Sequence, residues 1–237
     1  FGYVAQLLYE GDSPLAERRA AALALDPGLL ADLLGQTEGL SLRDLLDPEA
    51  ITTTERELQR LTSGRTCRDA EDVVDLLRTL GPLPLSAVAE RTREVLREDV
   101  PAWLERLTEE RQVIAVRVAG EDRYAAVEDA SRLRDALGAS LPVGVPGAYL
   151  DPVEDPIGDL VRRYARTHGP FLAGTVAQWF GLGIAVVNDT LARLAASGRM
   201  TTGEFLPPEI LARHAGDHEI GTHRETAEWC DSEILRQ

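Results

Sequence analysis

The sequence contains no lysine: all 25 of its basic residues are arginine, and they face 40 acidic residues. Without lysine, the chain cannot carry a Walker A phosphate-binding loop or form a Schiff base with a carbonyl substrate. Arginine does not replace lysine as a nucleophile, because its guanidinium group stays protonated. The formal net charge of -15 also excludes a uniformly basic nucleic-acid-binding surface.

Long apolar runs are missing and cysteine is scarce. No apolar stretch approaches the roughly 20 residues that a membrane-spanning helix needs, so we expect no membrane partner. Cys67 and Cys230 lie far apart in the sequence. A single long-range disulfide would fit them, but two free or buried thiols in a reducing cytoplasm are the favoured interpretation. The first residues, Phe1-Gly2-Tyr3, do not resemble a natural start, so we expect a piece of a longer cytoplasmic protein.

The negative charge is spread evenly along the chain. Residues 1–66 hold 11 acidic and 6 basic residues, residues 67–150 hold 16 and 11, and residues 151–237 hold 13 and 8. Each segment therefore has a net charge of -5. The sequence has neither an acidic tail nor a basic domain, and this pattern is typical of a generally solvated surface.

Residues 1–66 have the pattern of a helical segment. Ser13-Pro14 is typical of a helix start, and Asp47-Pro48 is interpreted as the end of a short apolar turn. Thr52 and Glu55 form a candidate capping box, which predicts a helix start at Thr52, ahead of Leu58 and Leu61.

From residue 69 onwards the chain contains an internal repeat. Two stretches with apolar residues at helical spacing end in similar turns, Leu80-Gly81-Pro82-Leu83 and His168-Gly169-Pro170-Phe171. At a constant offset of 88 positions, the pairs Val73/Val161, Gly81/Gly169, Pro82/Pro170, Leu83/Phe171 and Val88/Val176 match. After one deletion the match continues to Val113/Met200. This agreement predicts two copies of one supersecondary unit.

Each copy consists of three helices followed by a β-hairpin, which is the pattern of a winged-helix domain. In the first copy, strands are predicted over residues 113–119 and 123–127, with a turn at residues 120–122. In the second copy, the strands are expected over residues 200–205 and 226–231, separated by a long tip. The predicted fold is mainly α with small β-hairpins: a helical segment (1–66), winged-helix domain 1 (67–138), a linker (139–154) and winged-helix domain 2 (155–237).

Candidate metal ligands occur in two places. His214 and His218 have i, i+4 spacing, with His223 and Cys230 downstream, and Cys230 or Asp217 could complete a zinc site. A polar hairpin tip that happens to contain histidines is the favoured interpretation, because Gly216 opposes a rigid helix there. Four acidic residues near the linker could hold a divalent ion, but they are better explained as solvated residues and an acidic first helical turn: Asp151, Glu154, Asp155 and Asp159. We therefore predict no metal site.

Catalytic motifs are also missing. The sequence has no nucleophile elbow, HExxH or CxxC motif, and no catalytic residue is predicted. Gly181-Leu182-Gly183 lacks the third glycine of a dinucleotide-binding loop and is interpreted as the turn between the last two helices of the second unit. Trp103, Trp179 and Trp229 could stack on bases, but their positions favour core packing.

The two units differ in their suitability for binding DNA, which a winged helix usually contacts with its third helix. In the first unit, residues 100–111 have a net charge of -1, which is unfavourable beside phosphates. In the second unit, Asn188, Thr190, Arg193 and Arg199 accompany only Asp189, for a net charge of +1. Its first helix adds a basic cluster of Arg162, Arg163 and Arg166. We therefore predict that nucleic acid contacts the second unit, through these seven residues.

Several segments resemble the Lhr-type large helicase-related proteins. They are residues 1–4 and 9–19, Arg43-Asp44-Leu45-Leu46-Asp47-Pro48, the turn His168-Gly169-Pro170-Phe171, Gly203-Glu204-Phe205 and residues 228–236. The resemblance covers essentially the whole chain. It implies the end of a helicase-associated domain followed by the tandem winged helices of a C-terminal extension.

This resemblance implies a non-catalytic region of a superfamily-2 helicase that moves 3′ to 5′ along single-stranded DNA in repair. No cofactor is expected in this chain, because ATP and magnesium would belong to the motor. The implied partners are single-stranded DNA, bound weakly, and the motor and C-terminal domains of the same parent chain. The sequence is also similar to winged-helix DNA glycosylases, although no catalytic residue of that family can be matched. A freestanding tandem winged-helix module that binds proteins is the remaining alternative.

Overall fold

The computed structural model describes residue 43, residues 46–207, residue 211 and residues 227–236. His214, His218 and His223, together with most of residues 1–45, lie outside the described residues. The helices are α1 (Pro48–Leu58), α2 (Ala70–Leu80), α3 (Leu85–Glu90), α4 (Val100–Glu109), α5 (Ala130–Leu137), α6 (Pro156–Thr167), α7 (Ala173–Phe180) and α8 (Ile184–Ala196). The strands are β1 (Val113–Val118), β2 (Glu121–Ala126), β3 (Phe171–Leu172), β4 (Met200–Gly203) and β5 (Glu228–Asp231). The predicted class, mainly α with small antiparallel hairpins, is confirmed.

The first winged-helix unit consists of α2, α3, α4 and the β1–β2 hairpin. Asp69 caps α2 by accepting a hydrogen bond from the Asp72 backbone N–H at 2.9 Å. The apolar stripe of α2 is buried against α4 and the hairpin, as its spacing predicts. Leu83 forms an isolated antiparallel β-bridge with Tyr124 of β2 through two backbone hydrogen bonds, at the edge of the two-stranded sheet.

The hairpin turn differs from the one predicted. Glu121 and Asp122 belong to β2, and only Ala119 and Gly120 form the turn, with φ values of 50° and 81°. Two consecutive residues with positive φ make the tight turn that matches the twist of a two-stranded ribbon. The prediction was wrong because it took Gly120, Glu121 and Asp122 together as the loop.

The second unit repeats this arrangement with α6, α7, α8 and a three-stranded sheet in the order β3-β5-β4. Phe171 of β3 pairs with Trp229 of β5, just as Leu83 pairs with the returning strand of the first unit. The equivalence of Leu83 and Phe171 at the offset of 88 is thus visible in the sheet topology. The Gly181-Leu182-Gly183 segment is the α7–α8 turn, as predicted.

Helix α1 begins earlier than its sequence pattern predicts. Asp47 is its N-cap, accepting from the Glu49 backbone N–H at 2.9 Å, and Pro48 occupies the first helical position. Thr52 lies inside the helix and donates to the Pro48 carbonyl at 2.9 Å, so the capping-box prediction was wrong. An Asp-Pro pair can end one helix or begin the next, and here it begins one.

The two units are packed together through the outer face of the first hairpin. Ile114, Val116 and Val118 on this face are buried in the same apolar cluster as the second unit. Val113 belongs to a separate cluster, the core of the first unit. The segment from residue 139 to 154 packs on the shared cluster through Ala139, Leu141, Val145 and Tyr149.

The three tryptophans contribute to packing. Trp229 is buried in the core of the second unit, and Trp103 packs on the core of the first. Trp179 is half-buried and touches both clusters, so it belongs to the contact between the units. Among the described residues, no helix is long and apolar enough to cross a membrane.

Candidate nucleic-acid interface

A cleft of about 340 Å³ lies beside the second hairpin, between the first and third helices of that unit. Its charged lining consists of four arginines and two carboxylates: Arg162, Arg166, Arg199, Arg236, Asp231 and Glu233. We call it the hairpin cleft. It brings together three arginines that the sequence analysis predicted as nucleic-acid contacts, and it gives a net charge of +2 to a surface of a strongly acidic chain.

Each element places its arginine in the cleft for a local reason. Arg162 and Arg166 are four residues apart on α6, so they share one helical face. Arg199 follows Gly198, whose φ of 72° ends α8 while the Arg199 backbone N–H donates to the Leu194 carbonyl. The Arg199 carbonyl in turn accepts from the Ser232 backbone N–H at 3.0 Å, which fixes the turn against the end of β5.

The arginines of the hairpin cleft differ in how far they are neutralised. Arg162 donates to Asp159 at 2.9 Å and is half-buried. Arg166 and Arg199 are exposed, and neither forms an ion pair with a carboxylate in the described part of the chain. These two guanidinium groups are therefore the ones available to an external anion, since a solvated guanidinium binds phosphate oxygens in a bidentate geometry.

The other predicted contact residues lie elsewhere. Arg193 on α8 forms a bidentate ion pair with Asp155, at 2.6 and 3.1 Å, which holds the pKa of the Asp155 carboxyl below its usual range. Thr190 is buried, and its hydroxyl donates to the Val186 carbonyl at 2.8 Å. Asn188 is half-buried on the same helix. The structure does not bring these three residues into the hairpin cleft.

Arg163 points into the contact between the two units. Its guanidinium donates to both carboxylate oxygens of Asp129, with the Nη2–Oδ1 distance at 2.6 Å, and Arg132 donates to the same carboxylate. Only 14% of the Arg163 side chain is exposed. This geometry favours a structural role for Arg163 over a contact with nucleic acid.

The third helix of the second unit offers few groups for reading bases. Its exposed positions are Ala185, Val186, Asp189, Ala192, Arg193 and Ala196. Sequence-specific recognition in the major groove needs side chains that hydrogen-bond to base edges. Small apolar residues, one aspartate and an ion-paired arginine do not supply them. The exposed arginines of the hairpin cleft are better suited to contacts with the phosphate backbone.

The first unit is less suited to DNA. The exposed side chains of α4 include Glu105 and Glu109 against Arg106, and the short 3-10 helix Glu94–Asp99 before it exposes Glu98 and Asp99. One face of its hairpin, the element that a winged helix often uses as a second contact, is buried against the second unit. These observations fit the prediction that the first unit has a packing role.

The remaining candidate groups have structural explanations. Asp155 caps α6 by accepting from the Gly158 backbone N–H at 3.1 Å, and Asp159 pairs with Arg132 and Arg162 in its first turns. Among the residues that the structure describes, no cluster of metal-ligating side chains is present. Cys67 and Cys230 are buried free thiols, and burial raises their pKa values to about 11 and about 12.

Sequence reasoning missed Arg236 as a part of this site. It lies in the short 3-10 helix Ile234–Arg236 that follows β5 and lines the hairpin cleft. The signal that could have found it is the pairing of β4 with β5, which brings the end of β5 back to Arg199.

Comparison with known proteins agrees with this architecture. The family model described as "Large helicase-related protein, winged-helix domain" matches residues 44–152. Residues 44–152 therefore carry a winged-helix domain of the Lhr type. It is 47% identical over 236 residues to the "Lhr helicase/ probable uracil glycosylase" of Mycolicibacterium smegmatis, covering 100% of this chain and 14% of that protein. It is 44% identical over 198 residues to the "Lhr helicase/uracil glycosylase" of Escherichia coli, covering 84% of this chain and 13% of that protein.

The resemblance to the Lhr-type helicases is therefore confirmed. The chain spans about one seventh of the length of these relatives. Within them it corresponds to a winged-helix region that accompanies a helicase.

Proposed function

We propose that this chain is a non-catalytic region of an Lhr-type helicase that holds single-stranded DNA through the phosphate backbone while the motor moves along it in DNA repair. The first winged helix serves as a scaffold, and the second supplies the contact. The observation that carries the proposal is the convergence of Arg166 and Arg199, both exposed and without an ion-pair partner among the described residues, in the hairpin cleft. ATP and magnesium would belong to the motor.

The proposed contact is weak and independent of base sequence. Two to four arginines contribute to it, while the chain as a whole repels a polyanion. Each phosphate neutralised on a single strand makes the slope of log K against log salt concentration more negative by about 0.7. We therefore expect a measurable affinity at low ionic strength that is largely lost at physiological salt.

The test is a salt titration of binding to a fluorescently labelled oligothymidylate, measured by anisotropy with the full 237-residue chain. The double variant R166Q/R199Q should bind more weakly. Its slope of log K against log salt concentration should be less steep by about 1.4, which corresponds to two lost phosphate contacts. The matched control is R106Q/R117Q, which removes two exposed arginines of the first unit and should leave the slope unchanged. Equal losses in both variants would show only an effect of net charge and would contradict the proposal.

The single variant R193Q distinguishes DNA binding in the hairpin cleft from DNA binding by the third helix, α8. Arg193 is held by Asp155, so its removal should change DNA affinity less than removal of Arg166 or Arg199. A larger effect at Arg193 would indicate that α8 reads DNA as in other winged helices, and the hairpin cleft would lose its role.

A second candidate function follows from the names of the two relatives, which also include uracil glycosylase. A glycosylase must extrude its target base and hold it in a closely fitting pocket. The hairpin cleft, with its arginine and carboxylate lining, fits a strand backbone better than an extruded base. We expect no uracil release from a uracil-containing oligonucleotide incubated with the chain. Release of free uracil would favour the glycosylase function.

A further inference from the structure

A second arginine-rich cleft lies in the first winged-helix unit, where α1 leads into α2. Its volume is about 510 Å³, and its charged lining consists of Arg60, Arg65, Arg68, Arg93 and one carboxylate, Asp72. We call it the junction cleft. The lining carries a net charge of +3, whereas the chain carries -15. Such a concentration of arginine runs against the overall charge of the molecule.

A parallel β-bridge between Cys67 and Thr92 builds one wall of the junction cleft. The Cys67 backbone N–H donates to the Arg91 carbonyl at 2.8 Å, and the Arg93 N–H donates to the Cys67 carbonyl at 3.1 Å. Cys67 and Thr92 point inward and are buried, while Arg68 and Arg93 are exposed. The bridge therefore holds two guanidinium groups from distant parts of the sequence side by side at the surface.

Arg60 occupies a backbone conformation that normally selects glycine. Its φ is 55°, just after the end of α1, and the next residue, Leu61, donates its N–H to the Arg56 carbonyl at 2.8 Å. Glycine is favoured at this position of a helix end because it has no Cβ atom. The residue found there instead is an arginine that lines the junction cleft. Its Nη2 donates a hydrogen bond to the Thr79 hydroxyl at 3.2 Å.

Most of the positive charge in the junction cleft is uncompensated. Arg68 forms a bidentate ion pair with Asp72, at 2.8 and 3.2 Å, so these two charges cancel. Arg60, Arg65 and Arg93 make no ion pair within the described ranges. Three guanidinium groups thus face one open, polar cleft, an arrangement that favours a multiply charged anion.

We propose that the junction cleft binds phosphate groups, either those of a nucleic-acid strand or those of a free polyphosphate. The planar guanidinium fork matches two oxygens of a phosphate, and several arginines around one cleft can bind successive phosphates. This site is separate from the hairpin cleft and does not depend on the function proposed for it. Its opening lies in the unit that the acidic α4 otherwise makes unfavourable for DNA.

The test uses the full 237-residue chain and the double variant R65Q/R93Q, which changes two exposed side chains. The control is again R106Q/R117Q, which has the same charge change outside the cleft. Two probes are titrated: inorganic tripolyphosphate by calorimetry, and labelled oligothymidylate by anisotropy over a range of salt concentrations. Unchanged thermal unfolding of both variants shows that they are folded.

Phosphate recognition predicts a roughly fivefold to tenfold weaker affinity of R65Q/R93Q at low salt for at least one probe, since exposed charge contacts contribute little each. For the oligonucleotide, the slope of log K against log salt concentration should also become less steep by about 1.4. A loss confined to tripolyphosphate identifies a free polyphosphate as the ligand, and a loss that includes the oligonucleotide identifies the strand. Affinities equal to those of the control variant for both probes would overturn the proposal, whether or not the hairpin cleft binds DNA.

Discussion

Arg123 of the first hairpin lies over the indole ring of Trp179 in the second unit, with its guanidinium carbon 4.0 Å from the ring centroid. Its Nη1 also donates to the Trp179 backbone carbonyl at 2.9 Å, and its Nε donates to Glu121 at 2.9 Å. The side chain is almost completely buried. A hairpin that a winged helix often directs toward DNA is used here to join two winged helices, which makes them one packed body.

Replacing Arg123 should therefore weaken the contact between the units. Arg123→Gln removes the stacking on Trp179 and leaves a buried carbonyl without its donor, and we expect a loss of about 2 kcal/mol in the free energy of unfolding. The measurement is urea-induced unfolding. The control is Arg117→Gln on the same hairpin, whose side chain is 71% exposed and which should change stability by less than about 0.5 kcal/mol. Similar losses for both variants would mean that the Trp179 contact contributes little.

The close approach of Gly181 to the tip of the first hairpin gives a second prediction. Gly181 has a φ of 67°, and a Cβ atom there would lie 3.2 Å from the Ala119 Cα. Gly198 has a similar φ of 72° but open space around it. Both substitutions by alanine incur the cost of positive φ, about 1 kcal/mol. Gly181→Ala should cost a further 1 kcal/mol or so, because it pushes the units apart.

Comparing the melting temperatures of the two alanine variants isolates the cost of the close approach between residue 181 and Ala119. If Gly198→Ala proved as destabilising as Gly181→Ala, the approach of Ala119 would not limit the packing of the units.

The repeated unit could be predicted from the sequence because its signals are local. The apolar spacing of α2 and α6 and the shared Gly-Pro turns identify the helices and the offset of 88. The covered hairpin face was also visible in principle, since Ile114, Val116 and Val118 alternate as on a half-buried strand. What the sequence could not supply was the partner that covers this face.

The candidate site was predictable only in part, because it depends on where each arginine side chain points and not only on which residues are present. Arg162 and Arg163 are adjacent, yet successive residues of a helix point about 100° apart. One therefore lines the hairpin cleft, while the other pairs with Asp129. Arg60, Arg65 and Arg93 are scattered in the sequence, and only the Cys67–Thr92 bridge brings the last of them to the others.

The buried carboxylate of Asp129 should be among the most sensitive positions. It is 5% exposed and accepts hydrogen bonds from Arg163 and Arg132. Asp129→Asn leaves the mostly buried Arg163 without its counter-charge, and we expect a loss of about 3 kcal/mol or more in urea unfolding. Asp122→Asn, at a carboxylate that is 87% exposed, should be nearly neutral.

A double-mutant cycle tests whether the loss arises from the unpaired arginine. Asp129→Asn combined with Arg163→Met should be clearly less destabilising than the sum of the single changes, since the second substitution removes the stranded charge. Additive losses would show that the two side chains do not act as a pair.

His168 gives the chain a pH-dependent stability. Its ring stacks on Tyr164 at a centroid distance of 3.7 Å and hydrogen-bonds to the Tyr164 carbonyl at 2.8 Å. Since a carbonyl only accepts, Nδ1 carries the proton, and Nε2 accepts from the Gln59 side-chain amide at 3.2 Å. Burial lowers the pKa of His168 from 6.5 to about 4, opposed by the bond to Tyr164 and assisted by the charge of Arg91.

The direction of the effect follows from which state binds the proton. Between pH 6.5 and about pH 4, the unfolded chain takes up a proton on His168 that the folded chain does not. The stabilisation from the neutral ring is therefore complete above pH 6.5 and is lost as the pH falls, with a slope approaching about 1.4 kcal/mol per pH unit. Carboxylates contribute to acid unfolding as well, so the measurement compares the wild-type chain with His168→Gln by urea unfolding from pH 7 to pH 5. The difference between them should shrink as the pH falls, because only the wild-type chain loses the histidine contribution; a difference that stays constant would place the His168 pKa at its ordinary value.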